Sequence, residues 1–87
     1  MASLATYRLV FDDAAAEFIV QLTKRRQRAA VRLARQLAEH PFVRSDYALT
    51  DESGRQIEHL LLDEFVFAYW LDHALREVRI TDIEDAS

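Results

Sequence analysis

Between Lys24 and Arg35 the sequence carries Lys24, Arg25, Arg26, Arg28, Arg32 and Arg35 with no acid among them. Arg25, Arg28, Arg32 and Arg35 recur at spacings of three, four and three, which on a helix gathers them onto one side. Such a stripe can meet an acidic protein segment, nucleic acid or a nucleotide-bearing partner. Left unengaged, it is a solvated helix face. A second group of side chains suits stacking: Phe65, Phe67, Tyr69 and Trp70 could receive bases, although Phe65, Phe67, Tyr69 and Leu71 share one side of a strand and serve a core equally well. Trp70 then falls on the opposite side with Val66 and Ala68, so that strand is apolar on both faces and something must cover the second.

The remaining chemistry-bearing residues are scattered. His40, His59 and His73 lack the i, i+4 spacing of a helical zinc pair, and no metal site is expected from them. His40 suits a helix end, where a cation meets free carbonyls. Asp82, Glu84 and Asp85 crowd the C-terminal end and are expected to form a solvated acidic tail. No Ser-His-Asp arrangement, glycine-rich phosphate loop or assignable acid–base pair of carboxylates is present, so no catalytic residue and no cofactor is assigned.

These residues need elements to position them. Thr6 to Phe11 has the composition of a strand, with Tyr7, Leu9 and Phe11 on one face. Asp12 or Asp13 can cap a helix through the alanine run that follows, on which Ala15, Phe18, Ile19 and Leu22 form an apolar stripe. Thr23 can cap a second helix that ends at about His40, because Pro41 disfavours helical geometry in the residue before it. Ala30, Leu33, Ala34, Leu37 and Ala38 form its buried stripe, and the short link makes an αα hairpin. Beyond Pro41 the pattern alternates, predicting strands at Tyr47 to Thr50, Gln56 to Leu62, Phe65 to Leu71 and Glu77 to Ile83. Turns fall at 51–54, 63–64 and 72–75, and such short connections make the strands antiparallel neighbours. The expected architecture is therefore α+β, ordered β-α-α-β-β-β(-β), with an N-terminal αα hairpin on one face of an antiparallel sheet.

The totals agree. Eighty-seven residues fit one domain spanning 1–87, and 51% hydrophobic with 30% charged residues is ordinary for a folded chain. Burial leaves so small a chain a narrow margin, so a homodimer or bound partner is a natural supplement. The net charge of −4 argues against a surface built wholly for phosphate. The absence of cysteine excludes disulfides and thiolate chemistry, and a reducing cytoplasm is the simplest setting. The run Met1 to Leu9 lacks the pattern of a secretion signal, and no stretch approaches the ~20 apolar residues of a membrane span.

The opening Tyr7-Arg8-Leu9-Val10-Phe11-Asp12, the basic hairpin ending Ala38-Glu39-His40-Pro41, and the closing strands Phe65 to Asp72 and Glu77 to Ile83 together resemble the RelE/ParE superfamily of type II toxins. The resemblance covers most of the chain and rests more on hydrophobic pattern than on a signature. It implies a cognate antitoxin-like partner, and a target that is the translating ribosome with its mRNA in RelE-like members or DNA gyrase in ParE-like members. In such families the last strand runs into a His-Arg-like pair, with a tyrosine soon after in ribonucleolytic members. Here Glu84, Asp85, Ala86 and Ser87 follow instead. Carboxylates there repel a phosphate backbone, so the resemblance implies binding more than ribosome-dependent mRNA cleavage.

Two functions follow. One is a toxin-like protein that acts by macromolecular binding through Arg25, Arg28, Arg32, Arg35, Arg55, Arg76, Arg79 and Trp70. The other is a non-catalytic interaction module, homodimeric or not, that keeps the fold without the toxicity. An antitoxin gene in the adjacent reading frame would separate them.

Overall fold

Residues 6–87 are described by the structure, a computed structural model, so part of the Met1 to Leu9 run lies outside the described residues. In chain order the elements are β1 (Arg8–Phe11), α1 (Asp13–Val20), α2 (Lys24–Glu39), β2 (Tyr47–Thr50), β3 (Gln56–Leu62), β4 (Phe65–Asp72) and β5 (Glu77–Asp85).

The alanine run makes α1 cheap to form, and Thr23 opens α2 by accepting the Arg26 amide on Oγ1 at 3.4 Å. The Gln27 side chain donates to the Ile19 carbonyl at 3.0 Å, closing the end of α1 from α2. Two residues before Pro41 the second helix stops, and the His40 amide satisfies the Gln36 and Leu37 carbonyls. The expected carboxylate cap of α1 is not made: Asp12 occupies the N-cap position without a side-chain capping bond and instead accepts from Arg79 at 2.9 Å. A guanidinium across the sheet is the stronger donor.

The five strands form one sheet in the order β1-β5-β4-β3-β2. Pairing is antiparallel through β2, β3, β4 and β5, as the short turns require, but β1 joins the edge parallel to β5. The sheet is therefore mixed, because turn length governs only consecutive strands while β1 reaches β5 after the helices have crossed over. A bulge between Ala68 and Tyr69 leaves Thr81 unpaired opposite them. The acids expected in a tail are part of the last strand: Asp82, Glu84 and Asp85 all lie in β5, whose ladder with β4 runs to the Phe65–Asp85 pair. Backbone pairing with an apolar neighbour overrides the exposed composition of the segment.

Both helices cover one face. Ala15, Ala30, Leu33, Ala34 and Leu37 pack there against Leu60, Phe65, Phe67, Tyr69, Val78, Ile80 and Ile83. The small alanines let helix and sheet approach closely, and each large aliphatic or aromatic residue buried contributes about 2 kcal/mol. No described element covers the other face, which carries Val66, Ala68 and Trp70 of β4. The sequence reading of β4 as apolar on both sides is thus matched by a sheet that is half covered.

Candidate functional site

On the helix side, Ile19 and Val20 of α1 and Val31 of α2 floor a groove of about 740 Å³ edged by Arg28, Arg32 and Arg35. Val20 is 70% exposed, although its neighbours on α1 face the core. Thr23 starts α2 after so short a link that both helices present their outer sides together, which creates the groove. Gln27, Gln36 and Glu39 complete its lining, and none of the three arginines makes an ion pair among the described residues. Arginine stems extend the apolar floor while their heads keep like charge at the rim.

One residue off that stripe, Arg26 behaves differently. Its Nε donates to Glu64 at 2.7 Å and its Nη1 to Asp85 at 3.0 Å, and its guanidinium lies 5.0 Å from the centre of the Phe65 ring. Nη2 is enclosed without a hydrogen-bond partner among the described residues. The Arg26 hydrogen bond, reinforced by Ser87, holds the Asp85 carboxyl well below the usual carboxylate range. In turn, Asp85 and then Glu64 raise the guanidinium's own pKa. Arg26 therefore fastens α2 to the β3–β4 turn and to the end of β5.

The open face of the sheet carries a second set. Asp51 accepts the Ser53 amide at 2.9 Å, the Ser53 hydroxyl at 2.7 Å and the Arg55 amide at 2.9 Å, and these bonds, the hydroxyl first, hold its carboxyl below the ordinary range. Gly54, at φ 86°, makes that turn possible. The turn places Arg55 over the Trp70 ring, 3.9 Å from its centre. Further along, Arg79 is held between Glu77 at 3.0 Å and Asp12 at 2.9 Å, and Arg8 meets Glu77 at 2.7 Å. This network, with Glu77 buried, braces the parallel β1–β5 edge and raises the Arg79 pKa, chiefly through the Glu77 hydrogen bond.

The eight residues singled out from sequence therefore divide. Arg25, Arg28, Arg32 and Arg35 are exposed on α2, and Arg25 shares with Arg32 a second hollow near Glu64 and Phe65. Arg55, Arg79 and Trp70 belong to the sheet and its turns on the open side, and Arg76 sits in the β4–β5 turn at φ 53°. Sequence reasoning missed the Tyr47–His59 stack, with ring centres 4.6 Å apart and planes 7° apart, because only the β2–β3 register brings them opposite. It also missed a bond of 2.8 Å between the Tyr7 hydroxyl and His73 Nδ1, joined across 66 positions. Among the described residues no group of three or more His, Cys, Asp or Glu could hold a metal ion. Among the described residues no helix is long and apolar enough to cross a membrane.

Neither a protein-family model nor a curated protein matches the chain in sequence. Solved structures match in shape. The toxin–antitoxin complex RelBE2 of Mycobacterium tuberculosis contains a chain that superposes with a TM-score of 0.75 at 21% identity, covering 92% of this chain and 98% of that one. The chain has the RelE fold. A RelE–RelB complex of Pyrococcus horikoshii matches with a TM-score of 0.70 at 15% identity over 94% of this chain and 97% of its own. The intact RelBE toxin–antitoxin complex of E. coli gives 0.69 at 14% identity over 93% and 98%. Coverage near the full length of both partners means that the RelE fold accounts for the helices, the four antiparallel strands and the parallel edge together. Identity this low leaves the surface chemistry to be argued from this chain's own residues.

Proposed function

We propose that this chain is the toxin-like component of a type II toxin–antitoxin pair, a single domain that works in the cytoplasm by binding macromolecules. The observation that carries the reading is the groove between α1 and α2, apolar in its floor and edged by arginines that make no ion pair among the described residues. A cognate antitoxin-like partner offering an apolar helical stripe flanked by Asp and Glu fits it in shape and in charge. The likeness to RelE chains solved in complexes with RelB supports a partner of this kind. The target in this reading is the ribosome with its mRNA, or DNA gyrase.

A second reading, a non-catalytic interaction module, homodimeric or not, is favoured by one observation: Asp82 and Glu84 stand on the open face of the sheet, where an RNA backbone would meet like charge. Controlled expression in a bacterial host separates the two, with translation and DNA supercoiling followed independently. Arrest relieved by the protein encoded in the adjacent reading frame supports the toxin. Unimpaired growth at high expression overturns it, and transcripts cut at the ribosome would restore ribonuclease activity to the reading.

A further inference from the structure

Cross-strand register aligns Tyr47, His59, Ala68 and Asp82 in one row over four strands on the open face. The next row contains Leu61, Val66 and Glu84. Where the first row crosses β4 the side chain is only a methyl group, so a trough of about 290 Å³ opens between an aromatic wall and two carboxylates. The aromatic wall is flat, Tyr47 and His59 being nearly parallel at 4.6 Å. A contact of 3.2 Å from His59 Nδ1 to the Ile57 carbonyl fixes the imidazole edge. On the other side, Asp82 and Glu84 are two positions apart on β5, which sets their side chains on the same face about 7 Å apart.

Among the described residues no Lys or Arg lines the trough. Arg79 is held by Glu77 and Asp12, Arg26 by Glu64 and Asp85, and Arg55 lies on Trp70. Asp82 uses Oδ1 to accept the Ile83 amide, and neither it nor Glu84 has an ionic partner among the described residues. A flat ring on one side, a methyl floor and carboxylates opposite suit a planar cation. Guanidinium stacks on a ring face and presents five forked donors to carboxylates, whereas an ammonium leaves the flat wall unused. Phosphate is disfavoured by both carboxylates.

We infer that this trough receives the guanidinium of an arginine from a partner polypeptide, so that the open sheet face takes a basic segment. The inference goes beyond the acidic docking proposed for the helix groove and does not depend on it, since the two surfaces lie on opposite sides of the sheet.

Amide chemical shifts of the full chain, titrated with N-acetyl-arginine methylamide, test it. Saturable shifts centred on His59, Ala68 and Asp82 are expected, with the neutral citrulline analogue at least about tenfold weaker because the charge-assisted bonds are gone. Asp82→Asn with Glu84→Gln, both exposed, should abolish the shifts and leave the thermal midpoint in place. Ala68→Leu should abolish them with both carboxylates intact. Equal binding of citrulline or of the lysine analogue, retention in either variant, or shifts of the same amides by inorganic phosphate would overturn the assignment.

Discussion

The two faces of the sheet share β4 yet are built for different tasks. Against the helices, Phe65, Phe67 and Tyr69 are shut from solvent by alanine-rich surfaces that approach closely. On the open side, the Arg55 guanidinium lies over the Trp70 ring, and Leu49 and Leu61 remain 57% and 50% exposed. Charge divides in parallel: among the described residues the outer arginines of α2 make no ion pair, whereas the open face mixes braced arginines with two carboxylates that have no ionic partner. One face holds the fold, and the surfaces on either side of the molecule are left for opposite kinds of partner.

The largest test of that contrast is a pair of truncations on one strand. Phe67→Ala should cost about 3–5 kcal/mol in urea unfolding, the usual penalty for an aromatic removed from a packed core. Trp70→Ala should cost about 1 kcal/mol, the worth of an exposed cation–π contact and part of its burial. Equal losses would erase the distinction between the faces. Next in size is the helix groove: Arg28→Glu with Arg32→Glu should weaken binding of the adjacent-frame partner by roughly 10- to 100-fold with the thermal midpoint nearly unchanged. Undiminished affinity in that variant would remove the groove from the proposed interface.

Two titrations sharpen the picture with smaller effects. Burial, followed by the charges of Glu58 and Asp46, pushes the Tyr69 phenol up to about 12. A raised folded pKa means that its stabilisation is complete below about pH 10, the unfolded value, and is lost as pH rises through the folded value. Phenolate absorbance should therefore show one late-titrating tyrosine that disappears in Tyr69→Phe. Asp85 shifts the other way, so its contribution is present above the unfolded value of about 3.9 and fades as pH falls below it. Asp85→Asn should lower the melting temperature near neutral pH and leave it almost unchanged under strong acid. A loss of the same size at both pH values would show that Arg26 does not clamp the end of β5 through this charge.

Much of this arrangement was legible before any coordinates. Alternation alone marks Phe67 inward and Trp70 outward, and Pro41 marks the end of α2, because both signals act over a few neighbouring residues. The spacing that sets Arg28, Arg32 and Arg35 on one side also sets Arg26 apart, and only Arg26 is drawn into the fold. The acids of β5 misled for the same local reason. Their composition resembles a solvated tail, while their conformation is dictated by pairing with β4.

What the sequence by itself determined is the set of elements, the buried row of each and the sign of charge along α2, since these follow from periods of two and 3.6 residues and from side-chain identity. Tertiary structure alone decided that β1 lies parallel to β5, that Asp12 leaves the helix cap for Arg79, and that Tyr47, His59, Ala68 and Asp82 form one row. Each of these depends on contacts between residues distant in the chain, and strand register is set by the packing of whole faces, which no local spacing encodes.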